Sequence, residues 1–371
     1  MDKIKISAAQ LFVLVFLFEM GSSILFGLGA NAKQDAWIAI LLGLAGGLIV
    51  FFVHYRLFLF YPELVLTSYI QKIAGKWPGK ILALFYITYF IYIAARVLRD
   101  FGELLVTTVY TNTPLFVINT LMVLTIIYGI FKGLEVIARV GQIYFGIVYF
   151  MAILGFLLII FSGLIHFEFL KPILENGWKP IFNTFLQQTL LFPFSEILVF
   201  TMIYPFVNEP RKIKFVCIGG MILSGINITI TVIITISIIG PDLYIRSNFP
   251  LLTTVGRIQL ANFIERLDSL FLLYLIIGGF FKISLYFYAA VLGTADLFQF
   301  KKKENLAFPI GLIVLLGSTA IASTFAEFIK EFEFIRVYLN LPFEIIIPSA
   351  LLLIAFFRNK EKKTDTNINR N

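Results

Sequence analysis

The chain has 371 residues, 59% of them hydrophobic and only 14% charged, with a formal net charge of +8 and a mean hydropathy of +0.92. That balance excludes an ordinary soluble domain and predicts an all-α polytopic membrane protein, because a helix needs about 20 apolar residues to cross a bilayer. The positive charge is not a nucleic-acid signal; it lies on alternate loops, where it sets topology.

Ten apolar runs are predicted to span, near 8–30, 37–59, 81–109, 115–131, 141–163, 185–207, 213–239, 268–297, 308–325 and 335–357. The third, seventh and eighth are long enough to tilt or to project past the membrane. Residues 1–357 therefore read as a single transmembrane domain, and the polar tail 358–371 as a disordered cytoplasmic segment.

The first run, LFVLVFLFEMGSSILFGLGA, holds Glu19 directly before Gly21-Ser22-Ser23, with Gly27 and Gly29 beyond. Lys3, Lys5 and Ala30-Asn31-Ala32 give it some likeness to a signal peptide, but its length and the buried acid argue against one. Between spans two and three, YPELVLTSYIQKIAGKWPGK combines Leu64, Ile70 and Ile73 with Lys72, Lys76 and Lys80, predicting a short amphipathic helix on the cytoplasmic surface. Span three carries Arg96, Arg99, Asp100 and Glu103 on one helical face, with Arg96–Asp100 and Arg99–Glu103 four apart. Counted from Lys80, Arg96 lies about 24 Å along the helix, near the outer boundary. The segments 164–183 and 240–266 are the long outer loops.

The sixth run is interrupted like the first. It carries Pro193-Phe194-Ser195-Glu196, with Pro205 further on. Glycine and proline break helices, and in lipid the freed backbone groups must face protein, water or a ligand. A matched pair of broken spans, one opening each half of the chain, points to a transporter-type site near the midplane and permits a five-plus-five inverted repeat.

Lys and Arg accumulate on the loops that share a side with the N-terminus (Arg56, Lys132, Arg139, Arg211, Lys212, Lys214, Lys301, Lys302 and Lys303 among them), which predicts both termini in the cytoplasm. Charges inside spans are costly and face a cavity or each other. Two readings of Glu19 and Glu196 stand side by side: they hold a ligand amine or carry a proton, or they pair internally and only bind the bundle together. Lys282, mid-span in FFKISLYF, needs a carboxylate partner, and Glu19 and Glu196 are the candidates. Glu344, between Pro342 and Pro348, marks a distorted last span without an evident role. The single cysteine, Cys217, permits no internal disulfide. The sequence shows no metal cluster, phosphate loop or Ser/His/Asp arrangement, so it predicts no metal, no cofactor and no enzyme.

Several stretches resemble the spore germination permease family, the membrane-embedded B subunits of the nutrient germinant receptors of bacterial endospores, within the amino acid–polyamine–organocation superfamily. They are ISAAQLFVLVFLFEMGSSILF, AKQDAWIA, YPELVLTSYIQKIAGKWPGK, PFSEILVFTMIYPFVNEP and FIERLDSLFLLYLIIGGFFKISLYFYAA, in that order. The resemblance covers nearly the whole chain. It implies a leucine-transporter-type bundle with spans one and six unwound around a small germinant such as an amino acid. It also implies an inner-membrane location in the spore, with an A subunit and a C-subunit lipoprotein as partners. By position, ligand contacts would come from Gly21, Ser22, Ser23 and Ile24, and from Leu191, Phe192, Pro193 and Ser195, with Tyr89 and Ser284 as weaker candidates. Glu19 departs from the expected pattern and leaves ligand identity open. A proton-coupled amino-acid transporter of the same superfamily is the alternative reading, through Glu19, Glu196 or Lys282.

Overall fold

A computed structural model describes residues 5–257 and 267–368. Lys3, the 258–266 part of the outer segment 240–266, and residues 369–371 of the tail lie outside the described residues. Helix α1 spans Ala8–Met20 and opens on a capping box that Ser7-Ala8-Ala9-Gln10 dictates. The Gln10 N–H donates to Ser7 Oγ at 3.1 Å, and the Ser7 N–H donates to Gln10 Oε1 at 2.9 Å. Its 13 residues reach about 20 Å, short of a hydrocarbon core of about 30 Å. The chain then unwinds over 21–29 and resumes as a 3₁₀ turn, Ala30–Asp35.

Helices α2 (Ala36–Phe60), α3 (Leu66–Ala74), α4 (Lys76–Thr108), α5 (Leu115–Lys132) and α6 (Leu134–Phe161) follow. Helix α3 is the expected amphipathic surface helix, with Leu66, Tyr69, Ile70 and Ile73 buried. Lys76 and Lys80 begin α4 instead, because Gly75 (φ 94°) ends α3 and restarts the helix at once.

The sixth span is broken throughout. It runs as α7 (Trp178–Thr184), a π turn (Phe185–Thr189) and 3₁₀ segments at Phe194–Met202 and Tyr204–Phe206. Helices α8 (Ile213–Ile239), α9 (Pro241–Arg246), α10 (Pro250–Val255), α11 (Leu267–Phe298), α12 (Ala307–Ala320) and α13 (Phe325–Ile335) lead to a π-helical stretch, Arg336–Ile346, around Pro342, and to α14 (Ile347–Ile368). Helix α14 runs past Arg358, where the tail is expected to be disordered; Arg, Lys and Glu are good helix formers and continue it beyond the apolar stretch. Among the described residues, eight helical segments are long and apolar enough to cross a membrane; α1 and α12 are shorter.

The two broken spans lie innermost. Helix α1 packs against α6, α8, α11 and 194–202. Every residue of 194–202 is buried. On the N-terminal side the two spans are clasped by a parallel bridge: the Ile6 N–H donates to Phe206 O and the Asn208 N–H to Ile6 O, both at 2.9 Å. The sixth span also presses into a glycine stripe on α2. A Cβ added at Gly43 would stand 2.6 Å from Thr189 O, and one at Gly47 would stand 2.3 Å from Phe194 Cβ. Thr189 Oγ1 completes the seam by donating to Ala39 O at 2.6 Å.

This close approach makes Gly47 intolerant of a methyl group. Gly47→Ala should destabilise the fold by about 1–3 kcal/mol, the usual penalty for overpacking. Thermal denaturation of the detergent-purified protein checks it; an unchanged transition would mean that the seam yields freely.

Candidate functional site

The first break is built from residues that cannot keep a helix in lipid without help. The Gly21 N–H closes α1 on Leu17 O at 3.0 Å and Phe18 O at 3.2 Å. Beyond it the backbone turns with sparse internal bonds, and its freed groups find partners elsewhere in the protein. The Gly29 N–H donates to Gln188 Oε1 of the sixth span at 3.2 Å, and the Tyr244 hydroxyl of α9 donates to Leu28 O at 2.7 Å. The Ser23 hydroxyl donates to Glu19 O. Among the described residues, the Ser22 hydroxyl and both Glu19 carboxylate oxygens are buried without a hydrogen-bond partner.

The second break centres on Leu190 to Ser195. The Leu191 and Phe192 N–H groups both donate to Gln188 O, at 3.1 and 2.8 Å, and the Ser195 N–H and hydroxyl both donate to Leu190 O, at 3.2 and 2.7 Å. The Glu196 N–H then closes the turn on Pro193 O at 3.1 Å. Gln188, which the sequence reading did not single out, links the two breaks. A glutamine in an apolar run was the available signal.

Lys282 of α11 joins both breaks. Its ammonium pairs with Glu196, and the two side chains are 0% and 3% exposed. The same nitrogen lies 5.1 Å from the Phe18 ring centroid and 4.5 Å from that of Phe192, within cation–π range. Its stem crosses Gly21 so closely that an added Cβ there would meet Lys282 Cβ at 2.9 Å, and Gly278 on the same helix leaves room for Gly21 itself. Of the two candidate partners for Lys282, the structure selects Glu196.

The remaining candidates fall around this centre. Ile24 lines a cavity of about 50 Å³ with Ile159, Thr231, Leu251 and Tyr274. Ser284 is buried on α11, and among the described residues its hydroxyl has no partner. Tyr89 is engaged by the last span: its hydroxyl donates to Glu344 Oε1 at 2.6 Å and its ring stacks on Phe343 at 4.9 Å. That contact gives Glu344 a place that the sequence reading could not assign.

The two ends of the bundle differ. On the far side Arg96 pairs with Glu331 of α13, not with Asp100 as its spacing predicts. It is stacked between Phe328 at 4.2 Å and Phe332 at 4.4 Å. A cation held between two rings and a carboxylate gains more than from an i+4 aspartate alone. The Arg99–Glu103 pair forms as expected, at 2.7 Å. Phe192 reaches this closure through an edge-on contact with Phe332 at 5.4 Å. On the N-terminal side a cavity of about 980 Å³ opens between Lys5, Leu64, Phe206, Asp296, Lys301 and Lys303.

Two substitutions read out this geometry. Gly21→Ala forces the Lys282 stem or α11 to shift and should cost about 1–3 kcal/mol. Tyr89→Phe strips Glu344 of its donor and should cost about 1–3 kcal/mol. Thermal melts of the purified variants measure both, and a wild-type transition in either would remove the corresponding contact from the account.

The comparisons with known proteins agree with this architecture. The family model described as spore germination protein matches residues 5–326. The chain is 42% identical to spore germination protein KB of Bacillus subtilis (strain 168) over 364 residues, covering 98% of each. It is 28% identical to spore germination protein YndE of the same strain over 320 residues, covering 84% of this chain and 85% of that one. Two solved structures share the fold at low sequence identity. Mhp1, a nucleobase-cation-symport-1 family transporter in a closed conformation with bromovinylhydantoin bound, aligns with a TM-score of 0.68 at 11% identity, over 90% of this chain and 76% of its own. MhsT in complex with L-phenylalanine aligns with a TM-score of 0.70 at 13% identity, over 95% and 89%. With its leucine-transporter-type bundle and its first and sixth spans broken at one buried ion pair, the chain belongs to the spore germination protein family.

Proposed function

We propose that this protein is the membrane-embedded, nutrient-sensing subunit of a spore germinant receptor. It binds a small germinant between the unwound parts of spans one and six and signals to an A subunit and a C-subunit lipoprotein. It acts in the spore inner membrane, with both termini cytoplasmic, as a binding and signalling protein and not as an enzyme. The observation that carries the reading is a pair of backbone breaks, after Gly21 and at Leu190 to Ser195, bridged by Gln188 and by Lys282, in a member of a germination family. Exposed N–H and C=O groups at half-helix ends suit the polar ends of a small molecule. Solved relatives in fold hold small molecules. Binding would shift the bundle between two states, which the partners read.

The buried charges at the breaks support a second reading, a proton-coupled amino-acid transporter, in which Glu19, Glu196 or Lys282 couples movement to protons. Nutrient uptake into proteoliposomes that is lost in Glu196→Gln would favour it.

Spores lacking this gene should lose the fall in optical density and the dipicolinate release in response to one nutrient class, and the intact gene should restore both. An unchanged response to every nutrient in spores without other germinant receptors would sink the receptor reading. In the complemented strain, Ser22→Phe should raise the nutrient concentration needed for half-maximal response by about tenfold or more, equivalent to about 1.4 kcal/mol of lost binding. A normal dose response at normal protein level would move the ligand away from the first break.

A further inference from the structure

Lys282 of α11 lies between two broken spans that each carry a buried carboxylate. Glu196 is on the broken sixth span and holds the ammonium here. Glu19 is on the first span, one residue beyond Phe18, whose ring stands 5.1 Å from the same nitrogen. Glu19 is fully buried, and among the described residues neither of its oxygens has a hydrogen-bond partner. Gly21, two residues further on, lies against the stem of Lys282. Two other acids face this region. The Glu344 carboxylate accepts the Tyr89 hydroxyl on Oε1 at 2.6 Å, and among the described residues its Oε2 and Asp100 Oδ1 of α4 are buried without a partner. Among these acids Glu19 is the one with both oxygens buried and unpartnered, and its own span lies against Lys282 through Phe18 and Gly21.

A buried carboxylate without a partner is costly, and so is a buried ammonium that loses one. One ammonium on a flexible four-carbon stem can satisfy either acid by rotating about its own bonds. The base of that stem is fixed against Gly21, 2.9 Å from the position a Cβ would take there, so motion at the first break moves the stem directly.

We propose that Lys282 is an exchangeable internal cation: it pairs with Glu196 in one state of the site and with Glu19 in the other. The exchange regulates the site by tying α11 alternately to the sixth span and to the first. Its functional meaning rests on the reading of the two breaks as the germinant site, whereas the exchange itself is a property of the protein alone.

A double-mutant cycle tests the exchange. Glu19→Gln, Glu196→Gln and the double variant are purified in detergent and their melting temperatures compared. If Glu19 receives Lys282 when Glu196 is neutral, the double variant should lose at least about 3 °C more than the sum of the two single losses. In a Lys282→Met background the same substitutions should add without that excess. Additive losses in the native background, or an excess that survives Lys282→Met, would overturn the exchange. A Glu19→Arg variant guards against a cycle spoiled by poor folding of the double variant. It places a second cation beside Glu196 and should be tolerated only when Lys282 is replaced by Met; equal tolerance in both backgrounds counts against the proposal.

The functional arm is read separately in spores. Glu19→Gln confines Lys282 to Glu196, and Glu196→Gln confines it to Glu19, so the two should move the half-maximal nutrient concentration in opposite directions, by about threefold or more each. A thermal excess without any movement of the threshold would leave the exchange standing and remove its link to the germinant site. Movement of both thresholds in the same direction would overturn the two-state assignment.

Discussion

A lysine and a glutamate, paired out of reach of water, tie three helices of this protein to one point. The pair exists because each partner is untenable alone: an isolated buried charge costs several kcal/mol, and removing one member of a buried pair costs about 3–5 kcal/mol. Lys282 brings α11, Glu196 brings the sixth span, and the lysine stem crossing Gly21 brings the first. The surroundings make sense as consequences. Position 21 must be glycine because a side chain there would collide with the stem. The rings of Phe18 and Phe192 face the ammonium because a cation with one carboxylate still gains from their π faces.

The lipid sets the second constraint. Interrupted helices expose backbone groups, and no water is at hand to satisfy them. Here each break is repaired from a different direction: Gln188 and Tyr244 serve the first, and Ser195 folds back onto Leu190 in the second. The repairs are side-chain bonds, individually worth about 1 kcal/mol. A backbone held this way is easier to rearrange than a continuous helix.

Much of this was legible in the sequence, for local reasons. Gly21-Ser22-Ser23 and Pro193 announce the breaks because glycine and proline act on their own backbone. The Arg99–Glu103 pair follows from helical spacing. Other contacts were hidden because the partner is remote in the chain. Arg96 turns from Asp100 to Glu331, 235 residues away, where two phenylalanine rings await it. Glu344 lacks meaning until Tyr89, 255 residues earlier, donates to it. Lys282 shows why partner choice needs coordinates: both acids were visible candidates, and only the placement of the sixth span decides between them. The start of α4 was missed by five residues because Lys76 and Lys80 look like loop charges, although lysine is a good helix former.

The clasp between Ile6 and Val207 has a consequence for how a message leaves the membrane. The two broken spans are joined not only where they meet Lys282 but also at their ends on the N-terminal side, by two backbone hydrogen bonds that do not depend on which side chains stand there, proline excepted. The two spans therefore share a constraint at both places: displacing the end of one at the bridge strains the end of the other, and that shared end lines the large cavity beside Lys5 and Phe206. Anything bound at that one place would be in contact with the ends of both broken spans.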